Sequence, residues 1–327
     1  MQRRPLGNSG LEVSVLGFGA GAVGGLMVRG DPAEQDRAIR RAIEAGITYF
    51  DTAPLYGDGA SETHLGRVLR GITAEILIGT KIRLAPEQRA DPAAAIAASL
   101  EASLRRLGRD SVDLFQLHNP IAQDNDGDSL AVAEVLERIL PALEAQQRQG
   151  KTRCIGITAI GDPAALRAVI ESGRIHAAQI PFNLLNPSAA GTLPPGVPGQ
   201  DLEGLALHAE GHGVGVIAIR VLAGGALSAE PARHPVAMAE VAPIASGPDY
   251  AADVAEARRL LPLVAEGHAG DLIEAALRFA TGPAAISTAL VGTASLAQLE
   301  HAIAAVARGP LSEAALRRLA EIRAAPR

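Results

Sequence analysis

The sequence predicts an α/β protein of the (β/α)8 TIM-barrel class, with an N-terminal β-hairpin and a long loop insertion after strand seven. Three observations carry this prediction. Short apolar, β-branched runs alternate with amphipathic stretches eight times, with no linker between units. Of 327 residues, 48% are hydrophobic and 20% charged, which is ample material for one large core. After the first strand stands Gly17-Phe18-Gly19-Ala20-Gly21-Ala22, which misses the full spacing of a dinucleotide fingerprint and disfavours the alternative, a doubly wound open sheet. The chain 1–327 therefore reads as a single barrel domain.

Each element has a local reason. Two short runs between Arg3 and Val13 flank Gly7-Asn8-Ser9-Gly10, turn residues that tolerate positive φ, so a hairpin is expected. Val15–Gly19 is a strand running into a glycine-rich loop, where Gly19 lets a ligand or another backbone approach closely. A helix at about Ala33–Ala45 stops at Gly46. Thr48–Phe50 is a buried strand ending at Asp51, and Pro54 and Gly57 start a loop. A helix then opens with Ser61 as N-cap and Glu62 in its first turn. Next come a strand at Ile76–Thr80, a helix at Pro92–Leu107 and a strand at Val112–Leu117 that ends at His118. A long helix over about Leu130–Gln149 closes at Gly150. Arg153–Thr158 is a strand, followed by a helix capped by Asp162 with Pro163 at its first position. Ala178–Ile180, a helix at Leu202–Gly211, Val214–Ile219, Thr288–Val291 and a helix at Ser295–Ala307 complete the alternation. The stretch Leu222–Gly270 is rich in Gly, Pro and Ala, with a helix at about Tyr250–Glu266; as an insertion it belongs over the barrel mouth. Asn186–Gln200 is a shorter irregular stretch after strand six.

Composition excludes several classes of function. Net charge is -6 with no basic cluster, which argues against a nucleic-acid partner. Cys154 is the only cysteine, so no intramolecular disulfide forms and a reducing compartment is permitted. The first residues lack the apolar run of a signal peptide, and no stretch offers the ~20 apolar residues of a membrane span. A cytoplasmic location is expected, with no membrane partner; oligomeric state is not legible.

The chemistry converges at strand ends. Asp51 and Tyr56 follow the second strand, Lys81 the third and His118 the fourth. Singly, each has a plain structural role: a turn cap, a packed ring, a solvated lysine, a loop histidine. In a barrel, however, all strand ends open on one face, so these four can meet in one site. Where a reaction puts negative charge on an oxygen, a proton donor must sit there. A free phenol has a pKa of about 10; a nearby ammonium lowers it, and a carboxylate fixes the ammonium in place. A histidine can donate a second hydrogen bond to the same oxygen.

The motifs Phe50-Asp51-Thr52-Ala53-Pro54-Leu55-Tyr56-Gly57, Gly79-Thr80-Lys81, Asp113–His118 and Gln179-Ile180-Pro181-Phe182-Asn183 closely resemble the aldo-keto reductase family over nearly the whole chain. The resemblance implies a (β/α)8 barrel that uses a nicotinamide dinucleotide and no metal. It implies Tyr56 as general acid/base, Lys81 and Asp51 as its tuning pair, and His118 as the residue that orients substrate. It also implies that Thr158, Gln179 and Asn183 lie at the nicotinamide carboxamide. The family's Ser-Asn after strand five is Thr158-Ala159 here, and its Tyr-Ser-Pro-Leu after strand seven is Ile219-Arg220-Val221-Leu222. Ring stacking on the nicotinamide is thereby lost, and Arg220 and Leu222 fall near the cofactor. Arg220 is read as pairing with pyrophosphate or a substrate anion, or as a salt bridge at the barrel rim.

After strand eight, Gly292 lets backbone approach, and Thr293, Ser295 and Gln298 lie at the start of a helix whose free N–H groups suit a phosphate. Family members that prefer NADP carry an Arg or Lys here, and none stands between Val291 and His301. The cofactor expected is NADP(H), with NAD(H) also admitted. The leading function is an NAD(P)H-dependent oxidoreductase interconverting a small-molecule aldehyde or ketone and its alcohol. The alternatives are an NAD-dependent sugar or pyridoxal dehydrogenase, and a non-catalytic nucleotide-binding redox sensor on the same barrel. The insertion has no tryptophan and one tyrosine, so no aromatic sandwich for a flat polycyclic substrate is expected.

Overall fold

The computed structural model describes residues 1–325. The N-terminal runs pair as expected: β1 (Arg3–Pro5) and β2 (Glu12–Ser14) are antiparallel. Then come β3 (Leu16–Gly19), α1 (Leu26–Arg29), α2 (Pro32–Glu44), β4 (Tyr49–Asp51), α3 (Ala60–Leu69), β5 (Leu77–Ile82), α4 (Pro92–Leu107) and β6 (Val112–Leu117). A small pair, β7 (Ile121–Ala122) and β8 (Leu130–Ala131), precedes α5 (Val132–Glu134) and α6 (Leu140–Arg148). The rest is β9 (Thr152–Thr158), α7 (Pro163–Glu171), β10 (Ala177–Pro181), α8 (Leu205–Gly211), β11 (Gly215–Ile219), α9 (Tyr250–Arg259), α10 (Pro262–Ala265), α11 (Leu272–Ala280), β12 (Ile286–Gly292), α12 (Leu296–Ala307) and α13 (Glu313–Ala324).

Strands β3, β4, β5, β6, β9, β10, β11 and β12 close a parallel barrel, with β12 pairing back onto β3. The strands read as near-continuous apolar runs because helices cover their outer faces. Two cores result. One lies between strands and helices and includes Leu16, Phe18, Phe50, Ile78, Phe115, Ile155 and Ile180. The other fills the barrel interior, where Tyr49, Leu114, Cys154, Ala177, Ile217 and Leu290 meet Leu6, Leu11 and Val13 of the hairpin. The hairpin thus plugs the base of the barrel. It is stitched there by Asn8 N donating to Gly213 O at 2.7 Å, and the open chemistry is confined to the other end.

Four expectations are corrected by local physics. Ser61 is not an N-cap: α3 starts at Ala60, after Gly59 at φ 83°. The Ser61 hydroxyl instead donates to Ala20 O and bonds Thr52 Oγ1, both at 2.8 Å. The expected helix Leu130–Gln149 begins only at Val132, and Val135–Ile139 forms a wider turn in which Leu140 N reaches back to Val135 O. Pro141 follows; having no N–H, and with a ring that crowds the preceding turn, it widens the helix there. The helix at Leu202–Gly211 starts at Leu205, because Glu203 and Gly204 are both left-handed and Leu202 N is held by Ser188 Oγ. The insertion is divided between two places. Residues 233–246 form a strap over the mouth, joined to the first loop through Met238 N donating to Val23 O at 3.1 Å. Its helices α9 and α10 pack beside the barrel with α11 and α13 through Val254, Leu260, Leu263, Leu272, Leu319 and Ile322.

Candidate active site

Parallel strands bring Asp51, Lys81 and His118 to the same end of the barrel, and the tight turn after β4 folds Tyr56 back over them. Asp51 closes β4, and Lys81 sits one residue before the end of β5. His118 follows β6, with its N–H held by Ile82 O at 2.7 Å. Lys81 Nζ donates to Asp51 Oδ2 at 2.5 Å, to Thr52 O at 2.9 Å and to Tyr56 OH at 3.2 Å. The ammonium also lies 4.9 Å from the Tyr56 ring centre. The rings of Tyr56 and His118 meet edge to face at 6.0 Å. All four predicted residues therefore converge. A fully buried ion pair such as Lys81–Asp51 roughly breaks even in stability against apolar packing, so its presence here argues for chemistry.

Asp51 is itself tightly held. Its Oδ1 accepts from Gln179 Nε2 at 2.6 Å, from Tyr49 OH at 3.1 Å and from Gln116 Nε2 at 3.4 Å. Sequence reasoning missed Tyr49 and Gln116. The available signal was strand periodicity: positions 49 and 51 share one face, which is here the barrel interior. Gln179, expected at the nicotinamide, uses its amide N–H on Asp51. Glu62, expected only as a helix-dipole acid, is buried and accepts from Thr80 Oγ1 at 2.6 Å and Arg106 Nε at 2.7 Å. It anchors the strand that carries Lys81.

The electrostatics sharpen one expectation and reverse another. Burial works against the Lys81 charge, but Asp51 and Tyr56 outweigh it and its pKa is raised, so it is an ammonium. Lys81 was expected to bring the phenol below its ordinary value. Burial pushes Tyr56 up more strongly than Lys81 pulls it down, Asp51 adds to the rise, and the net shift is upward. Tyr56 is thus a firmly protonated donor. Burial, with Lys81 and Arg83 nearby, lowers His118 to about 3, so it is a neutral imidazole.

The predicted cofactor residues line the mouth around this centre. Thr158 ends β9, and its buried Oγ1 has no hydrogen-bond partner among the described residues; the same is true of Thr293 Oγ1 after β12. Gly19 and Gly292 are paired neighbours at the ends of β3 and β12, where a Cβ on Gly19 would lie 3.3 Å from Gly292 N. Asn183 is engaged with backbone: Nδ2 donates to Arg220 O at 2.9 Å, and Oδ1 accepts from the N–H groups of Leu185 and Asn186. Arg220 and half-buried Leu222 lie just past β11, under the strap. Among the described residues Arg220 makes no ion pair, so a rim salt bridge is not what holds it; Nη1 donates to Ala242 O at 3.1 Å. Ser295 caps α12 through Gln298 N at 3.3 Å, and exposed Gln298 turns its Oε1 back to Ala294 N at 2.8 Å. The first N–H of α12, on Leu296, is taken by Glu34 Oε1 at 2.9 Å. Orphaned hydroxyls and a side-chain-free backbone cradle at Gly19 and Gly292 fit a bound dinucleotide.

The comparisons agree with this geometry. A family model described as the Aldo/keto reductase family matches residues 15–324. The chain is 29% identical over 313 residues to L-galactose dehydrogenase of Arabidopsis thaliana, covering 94% of this chain and 88% of that protein. It is 34% identical over 189 residues to D-threo-aldose 1-dehydrogenase of a Pseudomonas species, covering 50% of this chain and only 55% of that protein. Among solved structures, the holo form of aldo-keto reductase AKR11C1 from Bacillus halodurans superposes with a TM-score of 0.72 at 25% identity, covering 98% of this chain and 96% of that one.

Proposed function

The chain belongs to the aldo/keto reductase family of nicotinamide-dependent oxidoreductases, and we propose that it interconverts a small-molecule carbonyl and its alcohol, with Tyr56 as the proton donor and acceptor. The observation that carries this reading is the buried Lys81 ammonium, held between Asp51 at 2.5 Å and the Tyr56 hydroxyl at 3.2 Å. The nicotinamide, when bound, supplies or takes up hydride at the carbonyl carbon. Tyr56 OH binds the substrate oxygen and gives it a proton as charge develops there. Neutral His118 donates a second hydrogen bond to that oxygen and fixes its direction. Lys81 stabilises the phenolate left behind, and Asp51, held by Gln179, Tyr49 and Gln116, keeps the ammonium in place. Thr158, Asn183, Gly19, Leu222, Gly292, Thr293, Ser295 and Gln298 form the proposed cradle of the dinucleotide. The whole chain acts as one barrel domain, in the cytoplasm, in keeping with a buried free thiol at Cys154.

Cofactor choice is the second part of the proposal. A 2′-phosphate carries close to two negative charges and needs a cation nearby. At the start of α12 there is instead the Glu34 carboxylate on Leu296 N. Arg41, which reaches the same helix, is paired with Glu300 at 2.7 Å. An acid at this helix terminus repels a phosphate and accepts a hydrogen bond from a ribose hydroxyl, so the lean toward NADP(H) drawn from sequence gives way to NAD(H). This favours the second reading, an NAD-dependent sugar dehydrogenase working in the oxidative direction. That reading also has support from the names of two relatives, L-galactose dehydrogenase and D-threo-aldose 1-dehydrogenase.

Titration with NADH and NADPH by cofactor fluorescence, then turnover of 4-nitrobenzaldehyde and of an aldose panel, tests both parts. Tight binding of either cofactor without turnover in either direction would leave a redox sensor as the remaining reading.

A further inference from the structure

At the barrel mouth, just past β11, stands a cation that forms no ion pair with any acid among the described residues. Arg220 has φ 57°, in the left-handed region that a residue with a side chain rarely adopts. The conformation is enforced: its carbonyl accepts from Asn183 Nδ2 at 2.9 Å and from Ala223 N at 2.7 Å. The guanidinium reaches under the strap, where Nη1 meets Ala242 O at 3.1 Å. It lies within electrostatic reach of the Tyr56 hydroxyl, and the residue is only half-buried, so solvent and solutes reach it.

Four other charges of the mouth are already engaged. Lys81 is neutralised by Asp51, and Arg83 pairs with Asp128 at 2.6 Å. Arg233 donates to Gly224 O and Met238 O, both at 2.6 Å, and lies over the Tyr250 ring at 5.0 Å. Asp253, whose field reaches Arg220, gives its carboxylate to Ser246 Oγ at 2.6 Å and Gly247 N at 2.7 Å. A guanidinium has five N–H donors in a planar fork that matches an oxyanion. Most of those of Arg220 have no acceptor among the described residues.

We propose that Arg220 is an anion subsite of the substrate pocket, and that the carbonyl substrate carries an oxyanion, a carboxylate or a phosphate. The inference rests on the carbonyl chemistry proposed above. Of the two anions read for Arg220 from sequence, pyrophosphate and a substrate anion, it selects the second, because β11 ends at the same mouth as β4, β5 and β6 and the charge lies within electrostatic reach of Tyr56, at which the reacting carbonyl must sit. Asn183 is then a positioning residue that holds the left-handed turn.

The test uses matched pairs: 4-formylbenzoate against its methyl ester, and glyceraldehyde 3-phosphate against glyceraldehyde. The wild-type protein should favour at least one anion over its neutral partner by tenfold or more in kcat/KM, and which pair responds identifies the oxyanion. Arg220→Gln should collapse that ratio by tenfold or more. Arg220→Lys, which keeps the charge without the fork, should retain part of it. The dissociation constants of NADH and NADPH should move by less than threefold in both variants. The wild-type ratio should also fall with added salt, since the subsite is half-exposed, and this reading needs no variant to fold. An anion-to-neutral ratio that is small in the wild type or unmoved in Arg220→Gln overturns the proposal. So does a tenfold loss of cofactor affinity with that ratio unmoved, which would assign the guanidinium to the pyrophosphate. If no aldehyde is turned over, the carbonyl reading has failed by itself. The subsite is then read from quenching of bound NADH fluorescence by 4-formylbenzoate and glyceraldehyde 3-phosphate. Quenching tenfold weaker in Arg220→Gln supports the subsite, and equal quenching overturns it.

Discussion

Gly79 and Tyr49 occupy one space: a Cβ on Gly79 would lie 2.3 Å from the Tyr49 hydroxyl. That hydroxyl is one of the donors holding Asp51 beside Lys81. The glycine of Gly79-Thr80-Lys81 is therefore required by packing in the barrel interior, one step removed from the chemistry. Gly79→Ala should cost about 1–3 kcal/mol, as overpacking does, and should lower turnover. Adding Tyr49→Phe removes the clashing oxygen, so the double variant should regain part of the stability. Denaturant unfolding of the three proteins checks this; simple additivity would refute the steric account.

Tyr56→Phe removes only the donated proton. Turnover should fall by roughly two to four decades, while both cofactors bind within about threefold of wild type. A variant that keeps a tenth of the wild-type rate would remove Tyr56 from its proposed role.

The directions of the pKa shifts set the pH profiles. The phenol is raised above its ordinary value, so carbonyl reduction, which needs the protonated form, should be flat through neutral pH and fall only at strongly alkaline pH. Alcohol oxidation needs the phenolate and should rise by about tenfold per pH unit below that pKa. His118 at about 3 should contribute no limb near 6.5. Because Lys81 lowers the Tyr56 pKa and Asp51 raises it, Lys81→Met should move the oxidation limb to higher pH. Asp51→Asn should move it lower, provided that Lys81 stays charged. Shifts of the same sign in both variants would show that the pair does not act on Tyr56 in this way.

In the proposed reading, Glu34 and Gln298 set the cofactor preference. Wild-type protein should bind NADH at least as tightly as NADPH. Glu34→Gln should shift the ratio toward NADPH by about three- to tenfold, and Gln298→Arg by about tenfold, with the second gain shrinking at high salt because Gln298 is exposed. Two dissociation constants per protein decide it. A wild-type preference for NADPH beyond a hundredfold would mean that a cation from elsewhere in the chain reaches the phosphate.

Glu62 ties α3, β5 and α4 together through Thr80 and Arg106. Glu62→Ala leaves a buried hydroxyl without its acceptor and a guanidinium that is 30% exposed without its partner. The expected loss is about 1–3 kcal/mol; Glu62→Gln, which keeps an acceptor for Thr80, should lose less. Thermal unfolding separates the two.

The sequence by itself determined the barrel, the order of its strands and the four residues Asp51, Tyr56, Lys81 and His118. That information is local. β-Branched runs, Pro and Gly stops, and Asp162-Pro163 at a helix start act within a few residues, and the barrel then sends every strand end to one face. Tertiary structure decided what is reached across long separations. Tyr49, Gln116 and Gln179 meet on Asp51 from three strands, and Glu34 comes to Leu296 from the far end of the chain. The state of Tyr56 was also a tertiary matter. Sequence showed that a lysine would pull the phenol down, but the opposing cost of burial depends on how tightly the barrel and strap close around it. Arg220 is the same case. Its letter was plain in the sequence, but its proposed role depends on a left-handed backbone, an asparagine 37 residues away and a strap carbonyl that together hold the charge at the barrel mouth.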